Sequence, residues 1–72
     1  MDDIRNADRE RMAALARDFD VMAATCDALA STRHQQGERS SAAWWHECST
    51  DCRTSAARVR EEMVARQSTE VV

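Results

Sequence analysis

Three cysteines are the residues of this 72-residue sequence whose type and spacing suggest chemistry. Cys48 and Cys52 are four positions apart, so on a helix their side chains share one face. If the chain folds back on itself, Cys26 and the thioether of Met22 come to the same layer. Thiolates and thioethers are soft ligands that favour Cu(I), or Zn(II) when a nitrogen or a carboxylate completes the set. The candidate metal ligands are therefore Cys26, Cys48, Cys52 and Met22.

Two other interpretations of these residues remain open. Cysteine and methionine are small or adaptable side chains that fill helical cores, and this is the default interpretation. An odd number of cysteines suits a reducing compartment, where thiols stay free or take part in redox switching. Each interpretation requires a fold in which a pair of helices brings the cysteines together.

The first helix is predicted from an uninterrupted apolar repeat. Its members recur at alternating spacings of three and four residues, the a/d pattern of a helix that packs along another helix. The repeat consists of Met12, Leu15, Phe19, Met22, Cys26 and Leu29. Ala16, Ala23 and Ala30 follow beside it, one in each heptad. Small residues on this flank predict a partner helix that packs closely.

A turn near Gly37 is predicted to separate two helices. The apolar period lapses over 31–37, and Gly37 stands where a left-handed C-cap residue belongs. The next apolar stripe is displaced by two positions from the first register, which a continuous helix could accommodate only by rotating its buried face. That second stripe runs through Ala42, Trp45, Ser49, Cys52, Ala56, Val59 and Met63.

The predicted fold is an all-α, antiparallel two-helix hairpin with coiled-coil-like packing, formed by one domain over 1–72. Helix 1 should cover about 3–33, the turn about 34–40 and helix 2 about 41–67. The predicted N-caps are Asp2 or Asp3 for helix 1 and Ser40 or Ser41 for helix 2. Folding at Gly37 places Asp8 opposite Arg66. It also pairs Leu29 with Trp45, Cys26 with Cys48, Met22 with Cys52, Phe19 with Ala56, Leu15 with Val59 and Met12 with Met63.

A second apolar surface remains outside this seam. Trp44 cannot share the seam with Trp45, because adjacent helical residues point about 100° apart. An exposed Trp44 is either a contact site or a ring that lies over the open end of its own hairpin. Self-association into a four-helix bundle would bury this surface and compensate for the small core of so short a chain. We therefore predict a homo-oligomer in which Trp44 and Trp45 are interaction residues. Binding to another protein partner is the alternative.

Composition argues against several other functions. The formal net charge is −3, which gives no basic field for nucleic acid. No apolar run reaches membrane length and the chain opens Met1-Asp2-Asp3, so no membrane contact is expected. The expected location is cytoplasmic, with export without a cleaved signal as the alternative. No His-acid-nucleophile set or Gly-rich phosphate loop can be placed, and no enzyme is expected. Ten arginines and no lysine suggest a GC-rich genome, such as that of an actinobacterium or its phage.

The segment from Cys26 to Arg60 resembles one hairpin of the cysteine-rich four-helix-bundle copper-binding proteins. In that family, Cys-x3-Cys pairs point into the bundle core and their thiolates bind Cu(I). Cys48 and Cys52 match this spacing, and Cys26 matches the end of the preceding helix. Other residues stand at the positions where the family pattern would continue with cysteine, namely Met22, Ser55 and Val59. The resemblance implies a four-helix bundle with at most one Cu(I) site.

Trp44 and Trp45 also give the chain a resemblance to the small secreted helical hairpins of actinobacterial export systems. Those proteins carry a Trp-x-Gly turn, and here no glycine follows at that spacing. The expected function is a non-enzymatic interaction or assembly module that acts through self-association or a protein partner. A soft-metal or thiol redox-responsive bundle is the alternative, and a secreted hairpin is the more remote one.

Overall fold

The computed structural model contains two long α-helices, α1 (Asp2–Gln35) and α2 (Arg39–Glu70), which pack against each other as a hairpin. It describes the backbone of residues 2–70 and the side chains of residues 5–67. The described backbone contains no strand, so the prediction of an all-helical hairpin is confirmed. The proposed N-caps of the first helix, Asp2 and Asp3, lie outside the described side chains.

Helix α1 ends in a Schellman motif at Gly37. The amide of Gly37 donates to the carbonyl of His34 at 3.0 Å, and the amide of Glu38 donates to the carbonyl of Arg33 at 2.9 Å. These two bonds define the motif and satisfy carbonyls that the helix end would otherwise leave unpaired. The φ angle of Gly37 is 77°, in the left-handed region that a residue with a Cβ enters only at a cost. The glycine therefore reverses the chain as predicted.

The turn is tighter than predicted, and this overturns the assignment of Ser40 or Ser41 as the N-cap of α2. The helix already begins at Arg39, so both serines lie in its first turn. Glu38 takes the capping position instead, because its carbonyl accepts the first helical hydrogen bond, from the amide of Ala42 at 3.0 Å. Its carboxylate also pairs with the guanidinium of Arg33 at 3.0 Å, which ties the two helix ends together.

Replacing Gly37 by alanine should destabilise the hairpin through the backbone alone. A Cβ built at this position meets nothing within 4 Å, so no clash contributes. The expected loss in free energy of unfolding is about 1–2 kcal/mol, the cost of holding an L-residue in the left-handed conformation. Gly37→Asn should lose less, because asparagine enters this region more readily. Thermal unfolding followed by circular dichroism measures both, and an unchanged melting temperature for Gly37→Ala would contradict the assignment.

Small residues form the centre of the helix interface, and this corrects the predicted seam of α1. The least exposed side chains are those of Ala16, Ala23, Ser49 and Ala56. Leu15 and Met22, which were predicted to be in the seam, are 46% and 43% exposed. The buried stripe of α1 instead runs through Met12, Ala16, Phe19, Ala23, Cys26 and Ala30. The stripe of α2 follows the predicted residues, each of which is buried or half-buried.

The correction has a steric cause. Two helices that meet through alanine and serine can approach closely, and large side chains then find no room between the backbones. Leu15 and Met22 are therefore displaced to the flank, while Phe19 and Cys26 keep their places in the seam. The largest fully buried side chain in the described residues is that of Ser49. A single hairpin thus buries little apolar volume.

The shape of the molecule reflects this small interior. The hairpin measures 54 × 18 × 10 Å and has a radius of gyration of 16.4 Å, against about 11 Å for a compact chain of this length. Its accessible surface is 5570 Å². A compact protein of 8.1 kDa exposes about 4,500 Å². The isolated hairpin therefore exposes about 1,000 Å² more than a compact monomer of its mass.

Candidate functional site

The two broad faces of the hairpin differ in chemistry, and ion pairs between the helices mark one of them. Arg53 pairs with Asp27, and Arg60 pairs with Asp20. The two aspartates are one heptad apart on α1 and the two arginines one heptad apart on α2. Both pairs therefore lie on the same side of the seam. We call this side the ion-pair face.

The opposite side carries the large apolar residues and is called the apolar face. Successive residues of a helix point 100° apart. On α1 this puts Leu15, Met22 and Leu29 across the seam from Asp20 and Asp27. Helix α2 contributes Trp44 and Cys48, with Trp45, Cys52 and Val59 at the seam edge. The open end of this face carries the ion pair between Asp8 and Arg66. That pair confirms the predicted placement of Asp8 opposite Arg66. Met12 and Met63 line one small cleft at the same end.

The two tryptophans take the positions that the sequence predicts relative to the seam. Trp45 is half-buried, whereas Trp44 is 57% exposed. Their rings meet edge to face, with centroids 4.7 Å apart and planes inclined at 82°. This geometry is favourable for aromatic rings and fixes the orientation of Trp44. Trp44 therefore presents a held, largely solvated ring at the turn-proximal end of the apolar face.

The three cysteines converge in the middle of the hairpin as free thiols. Burial raises the pKa of the Cys26 thiol above its ordinary value of 9.0, and the neighbouring thiols of Cys52 and Cys48 raise it further. The sequence predicted Cys48 opposite Cys26 and Cys52 opposite Met22, whereas the structure brings both Cys48 and Cys52 to Cys26. The rotated seam of α1 accounts for this difference.

The side chains around the thiol cluster differ from the predicted set of metal ligands. Among residues 5–67, no group of three or more His, Cys, Asp or Glu side chains is arranged to hold a metal ion. Met22, the fourth predicted ligand, lies on the apolar face with 43% of its side chain exposed. A raised pKa also keeps Cys26 protonated at neutral pH, and the protonated thiol is a poor ligand and nucleophile. The cluster therefore consists of the buried, protonated Cys26 thiol beside the two half-buried thiols of Cys48 and Cys52.

A buried hydroxyl connects the seam to the ion-pair face. Ser49 is fully buried, and its hydroxyl accepts a hydrogen bond from the guanidinium of Arg53. Hydrogen bonds from Arg53 and then from the Ser49 hydroxyl lower the pKa of Asp27 below its ordinary 3.8. A hydrogen bond from Arg60 likewise lowers the pKa of Asp20. No buried side-chain nitrogen or oxygen in the described region lacks a hydrogen-bond partner.

These pKa shifts determine how acid affects the fold. Asp20 and Asp27 are more acidic in the folded state than in the unfolded chain. The stability that they contribute is therefore fully present above the unfolded value of 3.8 and is lost as the pH falls through the lower, folded value. Sequence reasoning missed this network, although the heptad spacing of the aspartates and of the arginines was a signal that could have revealed it.

Comparison of the chain with protein-family models, curated proteins and solved structures finds no match. The resemblances to copper-binding bundles and to secreted hairpins rest only on the residues quoted for them. Across the described part of the chain, neither helix combines the length and the apolar character needed to span a bilayer. The surface of the hairpin itself is thus the basis for assigning a function.

Proposed function

We propose that this protein is a non-enzymatic assembly module in which the apolar faces of two copies pack together as a four-helix bundle. The observation that carries the proposal is the concentration of exposed large apolar side chains on one face, which holds three of the five in the described residues; the other two are Val21 and Val64. Leu15, Met22 and Trp44 are all substantially exposed there, while charged pairs occupy the opposite face. Such a patch on a small protein is typical of an interaction site.

The exposed area favours a second copy as the occupant. The hairpin exposes about 1,000 Å² beyond the surface of a compact monomer. A standard protein interface buries about 800 Å² on each partner. One isologous contact between apolar faces therefore removes about the excess that the hairpin carries. The half-exposed leucines and methionine of each hairpin then become the large side chains of a shared core, which a single hairpin lacks.

The charge distribution is consistent with this arrangement. The middle of the apolar face carries thiols and aliphatic side chains, and its described ion pairs, which join Arg66 to Asp8 and to Glu62, lie at one end. Charged residues are depleted in the centre of interfaces and common at the rim. The pairs on the ion-pair face remain in water when the apolar faces meet. Assembly thus removes mainly apolar surface from water.

Met22→Glu should dissociate the assembly, because it places a carboxylate in the centre of the apolar face. Val21→Glu is the matched control, since the neighbouring Val21 is 64% exposed and points away from that face. Sedimentation equilibrium at micromolar concentration should show a dimer for the wild-type protein and for Val21→Glu. Met22→Glu should be monomeric, or unfolded if the hairpin needs its partner.

Two readouts keep this test decisive even if Met22→Glu unfolds. The melting temperature of a wild-type dimer should rise with protein concentration, because association stabilises the folded state by mass action. The fluorescence of Trp44 should shift to the blue on association. A wild-type protein that is a folded monomer at micromolar concentration would overturn self-association and leave a different protein partner as the occupant of this face.

A thiol redox-responsive or soft-metal bundle is the second candidate, favoured by the convergence of Cys26, Cys48 and Cys52. Binding of Cu(I) would require these thiols to ionise and reorient, with Met22 as a further ligand. Stoichiometric Cu(I) added to the reduced protein should then produce thiolate-to-metal absorption in the ultraviolet. Absence of that absorption would exclude the metal site and leave the thiols as redox-responsive or core residues. Free thiols suit the cytoplasmic location that belongs to both proposals.

A further inference from the structure

The ion-pair face contains an open depression next to the turn, which the assembly proposed above does not use. Both histidines of the chain line it, one from each helix. The other lining residues are Ala30, Ser31, Arg39, Ala42 and Ala43. Because most of these side chains are small, the depression is shallow and open to solvent.

The helix register places His34 and His46 opposite each other. Asp27 and Arg53 form an ion pair across the seam. His34 lies one heptad beyond Asp27 toward the turn, and His46 lies one heptad before Arg53, which is again toward the turn. The histidine pair thus continues, toward the turn, the row of cross-helix pairs that Arg60 forms with Asp20 and Arg53 forms with Asp27. Both histidines are exposed, and neither makes a described ion pair.

We propose that His34 and His46 form a two-imidazole site for a divalent transition-metal ion of the Ni(II), Cu(II) and Zn(II) class. Imidazole nitrogen suits these ions, and water fills the remaining positions. Metal–nitrogen bonds are about 2.0–2.1 Å long. Two imidazoles joined by a metal ion therefore bridge a gap similar to the one that an arginine and an aspartate bridge one heptad away. The bound ion clamps α1 to α2 beside the turn.

Electrostatics near the site act in both directions. His34 lies in the last turn of α1, where the helix dipole favours a cation. The carboxylate of Asp27 is close enough to His46 for the two to interact electrostatically. Arg39 lines the same depression and opposes a cation. The balance of these charges suits an open two-nitrogen site of modest affinity. Because the site lies on the ion-pair face, its occupancy is independent of packing between apolar faces.

Ni(II) titration of the full chain tests this site, with the thiols kept reduced by a phosphine reductant. Calorimetry should show one ion bound per chain. His34→Gln and His46→Gln should each weaken binding by roughly a hundredfold, because the second imidazole acts at high effective concentration once the first is bound. Ser31→Ala is the matched control, since this residue lines the depression without being a ligand. It should bind Ni(II) as the wild-type protein does.

Paramagnetic line broadening in amide NMR spectra locates the bound ion independently of affinity. Broadening should centre on the amides around His34 and His46 and should be absent from both histidine variants. Circular dichroism checks that the variants remain helical. Broadening centred on Cys26, Cys48 and Cys52 would overturn the proposal in favour of the thiols, as would unchanged binding in either single variant. Failure of this test leaves the oligomeric state untouched, so it is distinct from failure of the proposed assembly.

Discussion

Ala23→Leu should lower the free energy of unfolding by about 1–3 kcal/mol or prevent folding altogether. Ala23 is 1% exposed and lies at the small-residue centre of the seam, beside Ala16 and opposite the fully buried Ser49 and Ala56. A leucine there must push the two helices apart, which breaks the close contact on which the interior depends. Small domains have only about 5–15 kcal/mol of stability in total. Such a loss is therefore a large fraction of what the hairpin has.

Ala28→Leu is the matched control for this substitution. Ala28 is exposed on the same helix, so the change in side chain and in helix propensity is identical. Urea unfolding of both variants, followed at several protein concentrations, separates the effect on the seam from any effect on association. Equal unfolding midpoints for Ala23→Leu and Ala28→Leu would show that the small-residue centre has been misplaced.

Phe19→Ala should be the most destabilising truncation in α1. Phe19 is the largest side chain of the buried stripe, and loss of a buried phenylalanine costs about 3–5 kcal/mol. Because Phe19 is half-buried in the single hairpin, we expect a loss near the lower end of that range, about 3 kcal/mol. Arg17→Ala and Asp18→Ala alter exposed neighbours and should leave the melting temperature nearly unchanged. Indistinguishable melting temperatures for these three variants would contradict the position of Phe19 in the seam.

The parts of the fold that the sequence predicts well depend on strong local signals. Gly37 marks the turn because only a left-handed residue completes a Schellman motif there. The α2 stripe is predicted residue by residue, since its spacing of three and four residues is regular from Ala42 to Met63. Trp44 is correctly placed outside the seam for the same geometric reason. Periodicity and backbone conformation are properties of neighbouring residues, so they can be read without the partner helix.

The errors arise where two helices must be considered together. In α1 the larger residues Leu15 and Met22 compete with Ala16 and Ala23 for the seam, and hydrophobicity alone favours the larger ones. The structure favours the smaller ones because their size sets the distance between backbones. Ser40 and Ser41 fail as N-caps for a related reason, since the tight turn makes α2 begin at Arg39. A choice that depends on the partner cannot be made from one helix.

For the candidate sites too, some features follow from the sequence and others only from the packing of the two helices. Convergence of the three cysteines follows from folding at Gly37, but the contact between Cys26 and Cys52 depends on the rotation of α1. The histidine pair is visible only once the Asp27–Arg53 register is known. The proposal that a second copy covers the apolar face depends on the excess accessible surface area, which is known only for the folded chain. Residue types therefore predict which chemistry is available, and the helix register decides which groups meet.

The displacement between the buried stripes of α1 and α2 also limits how two copies can exchange parts. Two hairpins with a short turn could open at Gly37 and exchange their second helices, which is a common form of domain swapping. A swap of that kind straightens the turn into one continuous helix. The end of the α1 stripe, at Cys26 and Ala30, and the start of the α2 stripe, at Ala42 and Trp45, would then face roughly 110° apart on that helix. One straight partner cannot cover both, so the phase of the sequence disfavours the domain-swapped form and favours association of intact hairpins.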